Sequence, residues 1–249
     1  MGLLKNETFV CIDCETTGLD AEKDHIIEVA AAVFQGDEII KTYETLIDPQ
    51  VAISPESMAI HHITDSMVQG KPKIEEILPN LLSFVGKHII IGHGILFDIA
   101  LLVNHAKKFS IPCTLGSHRF IDTLRLARLY GESPVNSLEK LRQHFNIPPE
   151  EAHRAMSDVL VNIEVFKFLT KRYKTTEQIL ERLQSPILLK AMPLGKHKGR
   201  PFSDIPSEYL QWALRKDFDQ DLMFSIRSEL KKRKTGTLFG QVGNPFSQL

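Results

Sequence analysis

Asp13 and Glu15 stand two residues apart at the end of Phe9-Val10-Cys11-Ile12-Asp13-Cys14-Glu15. Strand side chains alternate in direction, so on a strand both carboxylates project from one face. Like charges held that close repel unless protons or a cation intervene, and Mg²⁺ or Mn²⁺, hard ions that prefer oxygen, suit such a pair. Taken alone, the pair equally fits a solvated strand end. Asp98 follows a short apolar run, where an acid also serves as a helix cap. His153 precedes Asp158 by five residues, which on a helix is roughly 140° of rotation. To meet one substrate, His153 must therefore lie on the loop before a helix and Asp158 inside it. An imidazole with an ordinary pKa of about 6.5 accepts a proton near neutral pH, although an exposed loop histidine without a role looks the same in sequence.

The elements that must carry these groups read as an α/β alternation. Phe9 to Ile12 is a buried strand left through Thr16-Thr17-Gly18; Glu28 to Phe34 and Ile39 to Ile47 complete an antiparallel meander across Gln35-Gly36-Asp37-Glu38. Helices are expected over Ser54 to Ile60, started by Ser54-Pro55, and over Ile74 to Val85. His88 to Ile91 is a short strand before a helix from Phe97 to Phe109, and the alternation continues through Phe120 to Tyr130, Ser137 to Phe145 and Ala155 to Arg172.

The chain has 249 residues, enough for one good core and a small second module. No apolar run approaches the roughly 18 residues of a membrane span. Met1 to Thr8 lacks the features of a secretory signal, so a cytoplasmic location is expected. Three cysteines, Cys11, Cys14 and Cys113, are too few for a disulfide framework, and Cys11-x-x-Cys14 reads as core packing. Residues 1–173 carry 17 basic and 23 acidic side chains, and residues 174–249 carry 13 and 8, so the net charge of −1 hides an acidic part and a basic part. That asymmetry suits an acidic metal site beside a basic nucleic-acid grip, or simply two solvated surfaces.

Three motifs, in order, resemble the DnaQ-like, DEDDh family of 3′ to 5′ exonucleases: Asp13-Cys14-Glu15-Thr16-Thr17-Gly18-Leu19, then Gly92-His93-Gly94-Ile95-Leu96-Phe97-Asp98, then His153-Arg154-Ala155-Met156-Ser157-Asp158. The resemblance covers roughly Thr8 to Arg172 and implies a ribonuclease-H-like fold with a mixed central sheet. It also implies two Mg²⁺ or Mn²⁺ ions held by Asp13, Glu15, Asp98 and Asp158, with His153 as general base. Thr16 and Thr17 are placed near the terminal nucleotide and Leu19 against the end bases, unless Leu19 is core. The segment Ile60-His61-His62-Ile63-Thr64 is similar to a substrate-side stretch of these enzymes, which makes His61 either a nucleotide contact or a packed helix-end histidine. Where the family often has Asn, this chain has Gly94.

A second unit is expected after a 1–173 nuclease domain and a 174–186 linker helix. Residues 187–234 read as a small α+β module, a hairpin from Ala191 to Phe202 followed by helices over Pro206 to Leu214 and Asp221 to Lys232, and 235–249 as a flexible tail. Leu194-Gly195-Lys196-His197-Lys198-Gly199-Arg200 with Tyr209-Leu210-Gln211-Trp212 resembles the C-terminal module of exonuclease X and its relatives. Lys196, Lys198 and Arg200 suit phosphate contacts; the alternative is a folding unit whose Tyr209, Leu210 and Trp212 are core. Leu238-Phe239 faintly resembles a sliding-clamp tag. The expected function is a DNA 3′ to 5′ exonuclease acting on single strands or duplex ends. A proofreading subunit similar to polymerase III epsilon, RNA end trimming, and a non-catalytic binder on a nuclease fold stay open. A non-catalytic binder would be expected to lack a ligand or the histidine, and all five residues are present.

Overall fold

The computed structural model describes residues 3–131, 136–148, 154–216 and 218–240. Two compact units result, Met1–Leu183 and Gln184–Leu249.

The first unit is built on five strands: β1 (Thr8–Thr16), β2 (Ile26–Gln35), β3 (Glu38–Leu46), β4 (Ile89–Gly92) and β5 (Phe120–Asp122). Their order in the sheet is β3-β2-β1-β4-β5. β1 and β2, and β2 and β3, pair antiparallel as the meander requires, whereas β4 joins β1 and β5 joins β4 in parallel. The sheet is therefore mixed, with β1 at its centre. β2 is buried along nearly its whole length, as a strand covered on both faces must be.

Helices α1 (Pro55–His61), α2 (Asp65–Val68), α3 (Ile74–Val85), α4 (Leu96–Lys108), α5 (Thr123–Tyr130), α6 (Leu138–His144), α7 (Ala155–Thr170) and α8 (Thr176–Gln184) surround the sheet. Ser54 caps α1 by accepting the Ser57 N–H, and Pro55 occupies the first helical position, where its missing N–H costs nothing. The even-numbered side chains of β1, Val10 and Ile12, enter a core with Leu78 and Leu81 of α3 and Leu101 and Leu102 of α4. The odd-numbered ones face α7, where the Phe9 ring meets Phe166 edge-on at 5.3 Å.

The expected linker helix differs in assignment. α8 buries Thr176, Ile179 and Leu183 on one face, and the Arg125 guanidinium donates to the Leu183 carbonyl at 2.6 Å, so it belongs to the first unit. In the second unit the expected hairpin shrinks to one bridge, Ala191 to Pro201, which encloses a 3₁₀ turn at Gly195–His197 and is followed by another at Phe202–Asp204. The Met192 N–H donates to the Arg200 carbonyl, but the Arg200 N–H turns back to the His197 carbonyl and the Gly199 N–H takes the Met192 carbonyl, so the ladder goes no further. Helices α9 (Ser207–Ala213) and α10 (Gln220–Gly240) complete the unit around Met192, Phe202, Ile205, Leu210 and Leu222. α10 runs past Lys234, where a tail was expected to begin; Lys231 to Lys234 contain no helix breaker, and Arg233 is held by Glu229 and the Phe202 carbonyl. The side chains of Leu238 and Phe239 and all of 241–249 lie outside the described residues. No helix among the described residues is long and apolar enough to cross a membrane.

Candidate active site

β1 delivers Asp13 and Glu15 to the sheet face covered by α7, and Asp158 sits in the first turns of that helix. A ligand oxygen from each of Asp13, Glu15 and Asp158 lies within 4.8 Å of the other two. The placement follows from matched repeats. Four residues of helix rise about 6 Å and two residues of strand about 6.6 Å. Phe166, Asn162 and Asp158 thus descend in step with Phe9, Cys11 and Asp13. The first pair makes the ring contact, the Asn162 amide lies 3.5 Å from Cys11 Sγ, and the third pair is the acidic one.

Asp98 comes from the opposite face on α4. Its Oδ1 accepts the Cys14 backbone N–H at 3.0 Å, which ties the helix start to the strand between the two β1 acids. Burial raises the Asp13 carboxyl well above its ordinary pKa, and Asp98, Asp158 and Glu15 push the same way. Glu15 is raised to about 8 by burial and then Asp158, with Arg154 opposing. Burial also raises Asp98 to about 7, against the hydrogen bonds it accepts from its own and the Cys14 backbone. These carboxylates resist ionisation together, and a divalent cation would relieve them. The donor set, all carboxylate oxygen and partly desolvated, fits a hard cation. Cys11 and Cys14 are free, and burial raises both thiols, so neither offers a thiolate.

His153 lies outside the described residues, but the next residues are firmly anchored. Arg154 forks onto Glu28 of β2, with Nη2 to Oε1 at 2.6 Å and Nε to both oxygens at 3.2 Å. The Ala155 N–H donates to Glu28 Oε2 at 3.0 Å, and Glu28 is fully buried directly across the ladder from Glu15. Sequence reading passed over Glu28; a lone acid within Ile26-Ile27-Glu28-Val29 was the available signal.

Beyond Glu15 the chain turns sharply. Gly18 leaves room for the Asp24 carboxyl: a Cβ there would lie 2.7 Å from its carbon, and Asp24 could move only by releasing Thr17 and the Asp20 N–H. Thr16 Oγ1 donates to the Gly18 carbonyl, Thr17 Oγ1 donates to Asp24 and accepts the His25 N–H, and Ser57 donates to the Thr17 carbonyl. Both threonine hydroxyls are thus engaged within the loop. Leu19 is 92% exposed, which excludes the core reading of that side chain. His61 is 2% exposed and packed at the helix end, where its Nδ1 accepts the Ile63 N–H while Nε2 is buried without a partner among the described residues. Burial holds it below its usual pKa.

Gly94 adopts φ +77° with open space where a side chain would go, and its N–H donates to Asp122 Oδ1 at 2.9 Å. Buried Asp122, a second acid missed in sequence, also caps α5 through the Leu124 N–H. Neighbouring His93 donates to or accepts from Thr123 Oγ1, and burial lowers its pKa to about 4, keeping it neutral. Lys196, Lys198 and Arg200 are exposed on the second unit.

Comparison with known proteins agrees with this geometry. The family model described as "Exonuclease" matches residues 10–166, and one described as "Putative quorum-sensing-regulated virulence factor" matches 178–225. DNA polymerase III subunit epsilon of Aquifex aeolicus is 34% identical over 169 residues, covering 66% of this chain and 80% of that protein. The PolC-type DNA polymerase III of Clostridium perfringens is 32% identical over 200 residues, and the match covers 76% of this chain but only 13% of the polymerase. Among solved structures, exonuclease X in complex with 5′ overhanging duplex DNA superposes with a TM-score of 0.56 at 27% identity, over 70% of this chain and 98% of that one. E. coli exonuclease I with a dA16 oligonucleotide has a TM-score of 0.62 at 21% identity, over 72% and 43%, a likeness of fold. With the acidic trio, the mixed sheet and the family match over most of its first unit, the chain belongs to the exonuclease family.

Proposed function

We propose that this protein is a 3′ to 5′ exonuclease that hydrolyses phosphodiester bonds at DNA ends, with Asp13, Glu15, Asp98 and Asp158 as metal ligands and His153 as general base. The observation that carries the reading is the convergence of Asp13, Glu15 and Asp158 from a strand and a helix onto one point. Two bound Mg²⁺ or Mn²⁺ ions would supply polarisation of the attacking water and offset the charge gathering on the phosphate and the departing 3′ oxygen. His153, neutral before the step, takes the proton from that water. Glu28 and Arg154 hold the backbone that leads into His153. Leu19 stands clear of the loop after Glu15, where an apolar side chain can pack against an end base. Lys196, Lys198 and Arg200 are assigned to phosphate contacts, and the place of work is the cytoplasm.

The test is cleavage of end-labelled single-stranded DNA, duplex DNA and RNA side by side in Mg²⁺ and then Mn²⁺, with the ladder read for polarity. Asp13→Ala and Asp158→Ala should abolish cleavage while the far-UV dichroism is kept. Full activity in either variant would refute the ligand assignment. The epsilon-subunit relative, matched over 80% of its length, supports a second reading as a proofreading subunit of a polymerase. Co-purification with a polymerase chain would favour it.

A further inference from the structure

The second unit carries an aromatic ledge that its own core does not use. Leu210 is fully buried and Tyr209 packs partly on the core, but Trp212 is 47% exposed and takes no part in it. The expectation that all three form one core therefore holds only in part, because α9 turns Trp212 outward, one helical turn from Tyr209. The two rings lie 5.2 Å apart at 38°, and His197 closes against Tyr209 edge-on at 4.4 Å. Lys196 Nζ lies 5.3 Å from the Tyr209 ring and Lys216 Nζ 5.3 Å from the Trp212 ring. Gly195 makes the approach possible: its φ is +72°, and a Cβ there would lie 2.8 Å from the Tyr209 hydroxyl.

The stretch that carries the ledge is mostly basic. Residues 190–216 contain Lys190, Lys196, Lys198, Arg200, Arg215 and Lys216 against Asp204 and Glu208 alone. An exposed indole bordered by ammonium groups is poorly explained by solubility, since large apolar side chains favour burial and charges favour water. Alternating ring and cation does match a polyanion whose repeating unit offers a flat face beside each charge. We infer that Trp212, supported by Tyr209, is a base-stacking platform for single-stranded DNA, with Lys196 and Lys216 on its phosphates. Single strands are the occupant because in a duplex each base face is covered by its neighbours, whereas unpaired bases are free to stack on an aromatic ring. Lys198 and Arg200, in the same turn as Lys196, are exposed as well.

The inference rests on the reading of the chain as a DNA-end nuclease, and one feature of the chain lets the two be tested apart. Trp212 is the only tryptophan. The full-length protein, in EDTA so that nothing is cleaved, is titrated with dye-labelled oligothymidylate and with a blunt duplex; tryptophan emission and dye anisotropy are followed together. Stacking predicts quenching of Trp212 by the oligothymidylate, with the same midpoint as the anisotropy and little quenching by the duplex. Trp212→Ala should weaken oligothymidylate binding about fivefold or more, the contribution of one stacked base, while Trp212→Phe retains most of the affinity. Lys196→Ala with Lys216→Ala should flatten the dependence of binding on salt. Binding with silent emission, equal quenching by duplex, no binding at all, or unchanged affinity in a folded Trp212→Ala protein would each overturn the platform. Cleavage in Mg²⁺ is scored separately: cleavage with a silent Trp212 sinks only the platform, and quenching without cleavage sinks only the nuclease reading.

Discussion

Removing the Arg154 guanidinium tests how the site holds His153, the proposed general base. Glu28 has no solvent contact, and its partner Arg154 is 33% exposed. Arg154→Ala leaves a buried carboxylate whose remaining hydrogen bond among the described residues is from the Ala155 N–H. Breaking a buried pair from one side costs about 3–5 kcal/mol, and the partial exposure of Arg154 favours the lower end, about 3. For a unit of 183 residues that is a fall of about 6–12 °C in Tm, at about 2–4 °C per kcal/mol. Arg154 is also joined by a peptide bond to His153, so loosening it lets the base wander, and a misplacement of about 1 Å costs on the order of 100-fold in rate. The assay is single-turnover cleavage of an end-labelled oligonucleotide, well below the melting range, in a double-mutant cycle with His153→Ala. The rate should fall at least about tenfold with Arg154→Ala, fall less with Arg154→Lys, which keeps the charge but not the fork, and fall hardly at all in the His153→Ala background. An equal loss in both backgrounds would show that Arg154 serves the fold generally and refute the coupling to His153. An unchanged rate would refute it too.

Two other outcomes follow from the same geometry. Glu15 and Asp98 have folded pKa values raised from 4.5 to about 8 and from 3.8 to about 7; such acids bind protons more tightly when folded, so their contribution favours the fold at low pH and is lost as pH rises through those values. Thermal melts in EDTA should therefore show Tm falling from about pH 5 to about pH 8.5, with Mg²⁺ raising Tm most at the upper end; a metal effect greatest at low pH would contradict the acidic site. Gly94→Asn should fold, because asparagine tolerates a left-handed φ and the space for its side chain is open. By restoring the amide common in the family, it should lower KM for single-stranded DNA severalfold with kcat little changed. An unchanged KM would mean that the DNA end is held without that contact.

Much of this site was legible along the chain because its signals are local. The alternation that puts Asp13 and Glu15 on one face is a property of any strand, and the five-residue gap to Asp158 excludes His153 from the same helix face wherever that helix lies. The strand-to-helix order through Phe120 to Tyr130 likewise follows from period and breakers. The small unit shows where local signals mislead: glycines and a basic turn suggested a hairpin, but the Arg200 N–H closes on the His197 carbonyl and leaves one bridge.

From the sequence alone come the identity and order of the acids, the mixed alternation of elements and the basic character of residues 174–249. Only tertiary structure decided which residues meet. The descent of Phe166, Asn162 and Asp158 along Phe9, Cys11 and Asp13 depends on a helix step and a strand step being nearly equal, which appears only when α7 lies on β1. Glu28 and Arg154 are 126 residues apart, and no local pattern pairs them. Trp212 and Leu210 are both apolar residues of one short helix, yet one is core and the other surface. Packing decides that, since it depends on which helix face meets Leu222 and Ile226, and those residues come from α10.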